Sequence, residues 1–443
     1  MLFKRLHGVR VKHCKDTAGL APEKITVPKV VYIPMAMHIG APAIPVVKTG
    51  DRVMVGTLIG EGAEGLSSPV YSSVSGTVKK IDEILSIAGK HIPIVVIESD
   101  GLQEVSESVS PYDINSKAEL LAALSRSGIV GLGGAGFPTP MKLKADNSMV
   151  DTLLINGAEC EPYITSDTRT MIDNADEVAY GISLIQEYLE IKRVIVGIEK
   201  NKPECIKSMR KAVKDMEGVT VKALPAVYPQ GGEKVLTYHT TGRVIPQGKL
   251  PLDVGVIVMN CTTLVAIGRF VRTGMPLVEK CVTVDGSAVN EPKNLIVPIG
   301  TPVDELVKHC GGFKEEPRKI LYGGPMMGTA LADSSSPVLK QTNAVIFMGK
   351  EEATPPPVTP CIKCGCCVNA CPFSLDPIAI SKAYKANDAK MLERLCVDIC
   401  MECGCCSYVC PAKRNIVQRN KMAKTMLREY QIKKKATEGK TSG

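Results

Sequence analysis

The sequence predicts a multidomain chain of mixed α/β and α+β architecture, and three observations indicate it. Residues 28–100 form short Val-, Ile- and Gly-rich segments between turn signals, residues 113–270 alternate helical and strand patterns, and two cysteine runs of identical spacing lie near the C-terminus. The length of 443 residues suits three or four domains, since a domain averages about 100–200 residues. A 44% share of hydrophobic residues is enough for packed cores.

The first part, residues 1–110, is predicted to be a barrel-sandwich domain. The run VVKTGDRVMVGTLIG followed by SPVYSSVSGTVKKI resembles the hairpins of biotinyl and lipoyl carriers. Those carriers present a modified lysine inside a Met-Lys-Met triplet, and this part contains no such triplet. We therefore expect a structural relative without the acceptor lysine. The opening MLFKRLHGVRVKHC shows no apolar signal core.

Residues 111–272 are predicted to form an α/β domain with a largely parallel sheet. Lys117–Ser127 is helical by composition, with Asn115 or Ser116 as its N-cap. Short apolar runs between helical stretches are typical of buried parallel strands. The predicted strands are Thr152–Ile155, Arg193–Ile198 and Val254–Met259.

Residues 273–345 read as strand, turn, strand and a short helix that Thr301-Pro302 opens. The run Thr354–Pro357 (TPPP) predicts a stiff, extended linker into the cysteine-rich part. That part, residues 346–425, holds eleven of the 17 cysteines, all between Cys361 and Cys410. Such a concentration in a long chain favours metal ligands in a reducing compartment over disulfides.

The cysteine runs have the spacing of two-cluster bacterial ferredoxins. Each run is Cys-x2-Cys-x2-Cys-x3-Cys-Pro, and the second follows the first at an offset of 39 residues. In such ferredoxins the fourth cysteine of each run ligates the other [4Fe–4S] cluster. Zinc would need only four ligands per site and would not explain duplicated runs that end in proline. We therefore predict two clusters, one held by Cys361, Cys364, Cys367 and Cys410 and one by Cys400, Cys403, Cys406 and Cys371.

Three cysteines of this part, Cys366, Cys396 and Cys405, fall outside the ligand spacing and are interpreted as packed or spare thiols. The net charge of +8 comes wholly from residues 413–443, which hold ten Lys/Arg and two Asp/Glu. The simplest interpretation of this basic tail is a solvated disordered segment, and the domain division places the tail at 426–443. A basic segment can also touch an anionic membrane surface or an acidic partner. No nucleic-acid partner is expected, because Tyr430 is the one aromatic residue in 413–443.

A glycine-rich loop, GLGGAGFPT at 131–139, is the second candidate site. It contains G-x-G-x-x-G but follows a helix and precedes Pro138, so the ordinary dinucleotide-binding context is missing. Five glycines between positions 128 and 136 indicate either a close approach of backbone to a ligand or a tight structural turn.

Four motifs over about 130 residues resemble the NADH- and FMN-binding subunit of respiratory complex I. They are the glycine loop with its following lysine, NGAECEP at 156–162, YPQGGEKVL at 228–236, and Asn260 with Thr263. The resemblance implies that the loop glycines approach flavin phosphate and nucleotide, Lys142 neutralises phosphate and Phe137 stacks on the nucleotide. It implies hydrogen bonds to flavin from Asn156, Glu159, Asn260 and Thr263, and places Glu161 and Glu233 near the nicotinamide. The implied cofactor residues are Gly131, Gly133, Gly134, Gly136, Phe137, Lys142, Asn156, Glu159, Glu161, Glu233, Asn260 and Thr263.

Several positions depart from that pattern. Leu132 replaces Arg, Ala158 replaces Asp, Gly232 replaces Glu and Met259 replaces Asn. These changes keep open an alternative in which the flavin site is degenerate and the chain is a non-catalytic iron–sulfur relay. No catalytic acid or base is assigned, because hydride transfer to flavin demands none.

The chain from about residue 8 to residue 430 resembles the C subunits of Rnf electron transport complexes. PMAMHIGAPAIPVVKTGD, YGGPMMG at 322–328 and CMECGCCSYVCPAKRNIVQ carry that resemblance. It implies a β-grasp soluble ligand-binding module at 273–345 and electron transfer between NAD(H), FMN and two [4Fe–4S] clusters in an ion-pumping ferredoxin:NAD+ oxidoreductase. It also implies membrane and iron–sulfur or flavin subunits as partners and a peripheral place on the cytoplasmic face of a bacterial membrane. A flavin and iron–sulfur cobalamin reductase of a microcompartment, which shares this architecture, is the alternative.

Overall fold

The computed structural model of the chain describes residues 6–86, 89–144 and 146–441. Residues 1–5 of the predicted first domain and residues 442–443 of the predicted tail lie outside this range. Four structural parts follow one another along the chain.

The N-terminal part is β-rich, as predicted. Strands β2, β8, β7 and β4 form one antiparallel sheet, and β3, β5 and β6 form another. The alternating Val and Ile side chains of Val31, Ile33, Val95 and Ile97 are fully buried between them. The strands are β1 Glu23–Lys24, β2 Val30–Pro34, β3 Ile44–Pro45, β4 Arg52–Val53, β5 Leu58–Glu61, β6 Val70–Tyr71, β7 Gly76–Leu85 and β8 His91–Ser99.

The central part is a parallel four-stranded sheet with the order β11-β10-β9-β12, flanked by helices. The three predicted strands are confirmed with slightly different ends. Helix α1 ends at Ser125 rather than Ser127, and the Ser116 side chain caps it by accepting a bond from Glu119 N. The elements are α1 Lys117–Ser125, α2 Thr139–Leu143, β9 Thr152–Gly157, α3 Ser166–Asp173, α4 Ala175–Tyr188, β10 Arg193–Glu199, α5 Pro203–Ala212, β11 Val219–Leu224, α6 Glu233–Thr241, β12 Val256–Asn260 and α7 Cys261–Thr273.

The third part is a mixed sheet against one short helix. Strand β1 of the N-terminal part joins its edge by pairing parallel with β14, so the two parts share a sheet. Buried Lys340 also connects parts, because its Nζ donates to Gly128 O at 2.7 Å and to Pro69 O at 2.6 Å. The elements are β13 Glu279–Asp285, β14 Lys293–Pro298, α8 Val303–Lys308, β15 Lys319–Tyr322, β16 Thr329–Ala330, β17 Ala344–Met348 and α9 Lys350–Ala353.

The C-terminal part repeats its backbone at the 39-residue offset of the cysteine runs. Gly365 and Gly404 adopt matching positive φ values of 75° and 79°, and each opens a four-residue helix. Such a φ favours glycine because a side chain would be strained there. The elements are α10 Cys366–Asn369, α11 Pro377–Lys385, α12 Ala389–Arg394, α13 Cys405–Tyr408 and α14 Ile416–Thr441.

The prediction of a disordered basic tail is wrong for the described residues. Helix α14 runs from Ile416 to Thr441, across the predicted boundary at 425/426. Its buried residues Ile416, Asn420, Ala423 and Leu427 recur at helical spacing. Ala423 and Leu427 belong to a hydrophobic cluster with residues of α11 and α12. This packing stabilises the helix, which the high net charge of the segment did not predict.

Candidate functional site

A cavity of about 460 Å³ opens at the carboxyl end of the central sheet. Parallel α/β sheets bind ligands at this edge, and the volume lies within the range of about 300–1,000 Å³ usual for small-molecule sites. Asn156 at the end of β9 and Asn260 at the end of β12 are register partners and both line the cavity. Of the predicted cofactor residues, nine line it: Gly131, Gly133, Gly134, Gly136, Phe137, Lys142, Asn156, Glu233 and Asn260.

The glycine loop approaches the neighbouring strand end closely. A Cβ on Gly133 would lie 2.5 Å from the Asn260 amide nitrogen, whereas a Cβ on Gly134 would meet no atom within 4 Å. Gly136 has a φ of +70°. The loop is therefore shaped for glycine at two positions, and at Gly134 it leaves open space on the cavity side.

Two buried side chains anchor the loop at Leu132. Leu132 N donates to Thr263 Oγ1 at 3.0 Å, and Lys280 Nζ donates to Leu132 O at 2.9 Å. Burial lowers the pKa of Lys280 to about 8. The Leu132 side chain is itself buried in the core, so the residue that replaces the family's Arg faces inward. Thr263 thus positions the loop and is not among the residues that line the cavity.

The asparagine amides in the cavity wall already hold protein partners. Asn156 Nδ2 donates to Gly231 O at 2.9 Å, and Asn260 Nδ2 donates to Asp167 Oδ2 at 2.7 Å. Asn260 Oδ1 accepts from Thr262 N and so caps α7. Because an amide group has two N–H donors, each asparagine keeps one donor for a ligand.

The charged groups of the cavity pair with each other. Lys142 Nζ lies 3.2 Å from Glu233 Oε1 and donates to Val258 O at 2.9 Å. Both side chains are partly exposed, so the pair contributes little stability. A bound anion can therefore compete with Glu233 for the ammonium group at small cost.

Glu159 does not line the cavity. Its Oε1 accepts from Asp167 N and its Oε2 accepts from Thr168 Oγ1, both at 2.7 Å. These bonds place the carboxylate on the N-terminus of α3, where the helix dipole favours negative charge. Burial raises the pKa of Glu159. Its predicted bond to flavin stays a prediction, since the cavity wall does not include it.

Glu161 also lies outside the cavity wall. Its oxygens accept from Met326 N at 3.0 Å and from Met327 N at 2.8 Å, and Tyr228 Oη lies at 3.4 Å. Burial raises the pKa of this carboxyl. The contacts join the central part to the YGGPMMG segment of the third part, and the predicted place near a nicotinamide is likewise untested.

The eight predicted cluster ligands surround two separate spaces. The smaller space, about 20 Å³, is lined by an inner cysteine set, and the larger, about 180 Å³, by an outer cysteine set. Each set takes its fourth cysteine from the other run, as the crossed assignment expects. Within the described residues no group of His, Cys, Asp or Glu meets the geometry of a single-ion site. The inner set is Cys371, Cys400, Cys403 and Cys406, and the outer set is Cys361, Cys364, Cys367 and Cys410; Cys405 also lines the inner space and Cys366 the outer one.

The inner set lies directly against the wall of the cavity. A Cβ on Gly232 would lie 2.2 Å from Met401 Cε, and Tyr228 Oη donates to Cys403 O at 2.8 Å. Gly231, beside Gly232, lines the cavity. One tight turn therefore borders the cavity on one side and the inner set on the other.

Sequence reasoning missed several residues that build this arrangement. Lys15 Nζ donates to Glu159 O at 3.0 Å and to Glu161 O at 2.7 Å, and Lys280 holds the glycine loop. Tyr228 opens a motif but received no role. No spacing in the sequence reports such contacts.

The fold and this site define a class of protein, an oxidoreductase with an FMN-binding domain of the NADH dehydrogenase type. The family described as "Nuo51 FMN-binding domain" matches residues 124–269, "RnfC Barrel sandwich hybrid domain" matches 3–102, and "SLBB domain" matches 281–330. The chain belongs to the C subunits of the Rnf family of ion-translocating oxidoreductase complexes. The predicted family and the predicted α/β multidomain fold with these three domains are confirmed.

Three relatives support this membership. The C subunit of the proton-translocating ferredoxin:NAD(+) oxidoreductase complex of Clostridium ljungdahlii is 42% identical over 83% of this chain and 81% of the relative. Its counterpart in the Na(+)-translocating complex of Acetobacterium woodii is 40% identical over 81% and 82%. The C subunit of the ion-translocating oxidoreductase complex of Rhodobacter capsulatus is 39% identical over 97% and 83%. No helix within the described ranges combines the length and apolar character needed to cross a bilayer.

Proposed function

We propose that this chain passes electrons between NAD(H), FMN and two [4Fe–4S] clusters as a subunit of an ion-translocating ferredoxin:NAD+ oxidoreductase. The observation that carries the proposal is the turn at Gly231–Gly232, which borders both the cavity and the inner cysteine set. Family membership favours this complex over the microcompartment reductase. It also supports the partners expected, the other subunits of the complex, and a peripheral place on the cytoplasmic face of the membrane.

The cavity suits FMN and a nicotinamide. A bound flavin can exchange two electrons at once with NADH and single electrons with iron–sulfur clusters. Gly134 leaves space for a ligand beside the loop, and Lys142 provides a cation for phosphate. Asn156 and Asn260 keep one donor each for the ring system. Phe137 and Glu233 also line the cavity.

The thiols suit two clusters because each space is lined by the four cysteines that the ferredoxin spacing selects, together with one further cysteine. A cluster held by the inner set would exchange electrons with a flavin bound in the cavity, since Met401 of this run packs on Gly232 beside the cavity wall. The outer set would exchange electrons with another subunit, since Cys361 and Cys364 are exposed. Each bound cluster would carry one electron, so the two cysteine sets together would match the electron pair of one NADH, in either direction of the reaction.

The domain limits that suit this function are 1–110, 111–272, 273–345 and 346–425, with α14 joining the last part to residues 426–443. The β-grasp module holds the glycine loop through Lys280, and its Lys340 connects Pro69 of the first domain with Gly128, three residues before the loop. The segment at residues 354–360, which is neither helix nor strand, then leads to the two cysteine sets.

The test is anaerobic titration with NADH of protein reconstituted with iron, sulfide and FMN. We expect both the flavin and the cluster absorption to bleach. If NADH leaves both oxidised, the NADH-linked function is wrong and the non-catalytic relay remains.

A cavity variant locates the flavin. Gly134→Leu fills the space that a Cβ would enter freely, so we expect at least a tenfold loss of FMN affinity, about 1.4 kcal/mol, with unchanged iron content. Gly19→Leu is the matched control, because a Cβ there also meets no atom within 4 Å and the residue lies outside the cavity. Equal FMN binding by both variants would place the flavin elsewhere.

A further inference from the structure

Cys366 and Cys405 occupy the same position in the two cysteine runs, and neither belongs to the ligand spacing. Their surroundings differ. Cys366 is exposed, whereas Cys405 is 1% exposed and lies in a hydrophobic cluster with Tyr228 and Cys403. A buried thiol that the proposed electron route does not use therefore lies where the inner run meets the cavity turn.

Tyr228 and Cys405 connect these two segments in both directions. Tyr228 Oη donates to Cys403 O at 2.8 Å, and Cys405 Sγ lies 3.9 Å from Tyr228 O, within hydrogen-bond range for sulfur. The same Tyr228 carbonyl accepts from Val9 N at 2.9 Å, so the N-terminal segment braces it. A residue at the start of the cavity turn thus holds the inner run at two points.

The Cys405 thiol also lies next to the predicted ligands. Cys405 directly precedes Cys406 and is two residues from Cys403, and it lines the same space as the inner set. Hydrogen bonds to cluster sulfurs are one of the factors that set a cluster's reduction potential.

We propose that Tyr228 and Cys405 form a bridge that holds the inner cysteine set against the flavin cavity, and that both are positioning residues for electron transfer there. The inference rests on the proposed function. The step concerned is the passage of one electron from reduced flavin to the oxidised inner cluster, with no bond formed or broken. The protein contributes by fixing how the two groups face each other.

The test compares Tyr228→Phe, Cys405→Ala and Cys405→Ser with the matched control Cys366→Ala in reconstituted protein. Iron content, the electron paramagnetic resonance spectrum and the reduction potential of the inner cluster are measured with a chemical reductant and redox mediators. The rate of cluster reduction is measured separately after rapid mixing with NADH.

We expect every variant to keep its iron. Tyr228→Phe and Cys405→Ala should shift the potential and spectrum of the inner cluster and slow its reduction at least about tenfold, since a displacement of about 1 Å between reacting groups can cost about a hundredfold in rate. Cys405→Ser keeps a donor and should restore part of the wild-type behaviour, while Cys366→Ala should match wild type.

Two results overturn the bridge. If Cys405→Ala loses inner-cluster iron, Cys405 is a ligand and not a positioning residue. If Tyr228→Phe and Cys405→Ala match Cys366→Ala in potential and rate, the contacts have no role in transfer. Failure of NADH to reduce the wild-type protein would instead count against the proposed function, because the mediator titration tests the bridge without NADH.

Discussion

The inner and outer cysteine sets show how one spacing can give two sites with different surroundings. Both runs use the same turn, with positive φ at Lys363 and Gly365 in the first and at Glu402 and Gly404 in the second. The outer run is open, and Cys361 and Cys364 are exposed. The inner run is covered by the turn that borders the cavity and by a segment of the third part, as Gly404 packs against Met326 O.

The difference comes from what packs on each run and not from the runs themselves. Spacing determines which thiols can converge on a cluster, whereas neighbouring domains determine how far solvent reaches it. Burial and hydrogen bonding to the sulfurs tune cluster potentials. Two copies of one motif can therefore differ in potential and in partner without any change of ligand.

The largest effect should come from replacing the cysteine that each run contributes to the other run's cluster. Cys371→Ser lies in the first run but should destroy the inner cluster, and Cys410→Ser lies in the second but should destroy the outer one. Each variant should lose about half of its iron. Cys396→Ser, outside the ligand spacing, is the control and should lose none.

Alkylation followed by mass spectrometry decides whether the ligands cross. In Cys371→Ser the newly reactive thiols should be those of the second run, Cys400, Cys403 and Cys406. Reactivity of the first-run thiols in that variant would mean that each run binds its own cluster, and the comparison of inner and outer sets would lose its basis.

Cluster removal should separate the two sets in the wild-type protein. With an oxidant and an iron chelator, the outer cluster should be lost first, because its ligands Cys361 and Cys364 are exposed. The inner cluster should persist, because none of its four ligands is exposed: Cys403 and Cys406 are buried, and Cys371 and Cys400 are half-buried. The measurement is alkylation of each cysteine over time; simultaneous loss of both sets would show that burial does not protect the inner one.

A smaller effect is expected at the residue that follows the first cysteine of each run. Met401 packs on Gly232, whereas its repeat partner Ile362 is 69% exposed. Met401→Ala should destabilise the inner cluster by about 1–2 kcal/mol, below the about 2–5 kcal/mol of a fully buried methionine. Ile362→Ala should stay within about 0.5 kcal/mol. The temperatures at which cluster absorption is lost test this, and equal shifts would remove the asymmetry.

The sequence predicts the repeated parts of this molecule better than the contacts between them. The cysteine spacing predicts two sets of four with crossed members, and short apolar runs predict the parallel sheet, because both patterns are local. The contacts of Glu161 with Met326 and Met327 join segments about 165 residues apart. A motif taken over from a family cannot report that its carboxylate is used for such a contact.

The C-terminal helix has a helical periodicity in its sequence that the high charge of the segment conceals. The ten basic residues of 413–443 suggest a solvated tail, yet Ile416, Asn420, Ala423 and Leu427 recur at spacings of four, three and four. That periodicity marks one buried face of a helix. Charge describes the solvent face of α14, whereas the narrow buried stripe determines its structure.

The smallest effect is expected at α14. Its Lys424 contacts the inner run, whereas, within the part of the chain that the structure describes, the equivalent lysine of α11 makes no such contact with the outer run. Lys424 Nζ donates to Cys400 O at 2.8 Å and to Glu402 Oε1 at 2.6 Å. Lys385, its repeat partner on α11, is exposed.

Lys424→Met should lower the stability of the inner cluster by about 1 kcal/mol, the usual contribution of a partly exposed pair and one hydrogen bond. Lys385→Met should have no measurable effect on the outer cluster. Thermal loss of each cluster at low and high salt tests the pair, because screening weakens the Lys424–Glu402 attraction; an equal effect of both variants would mean that the helix supports the two runs alike.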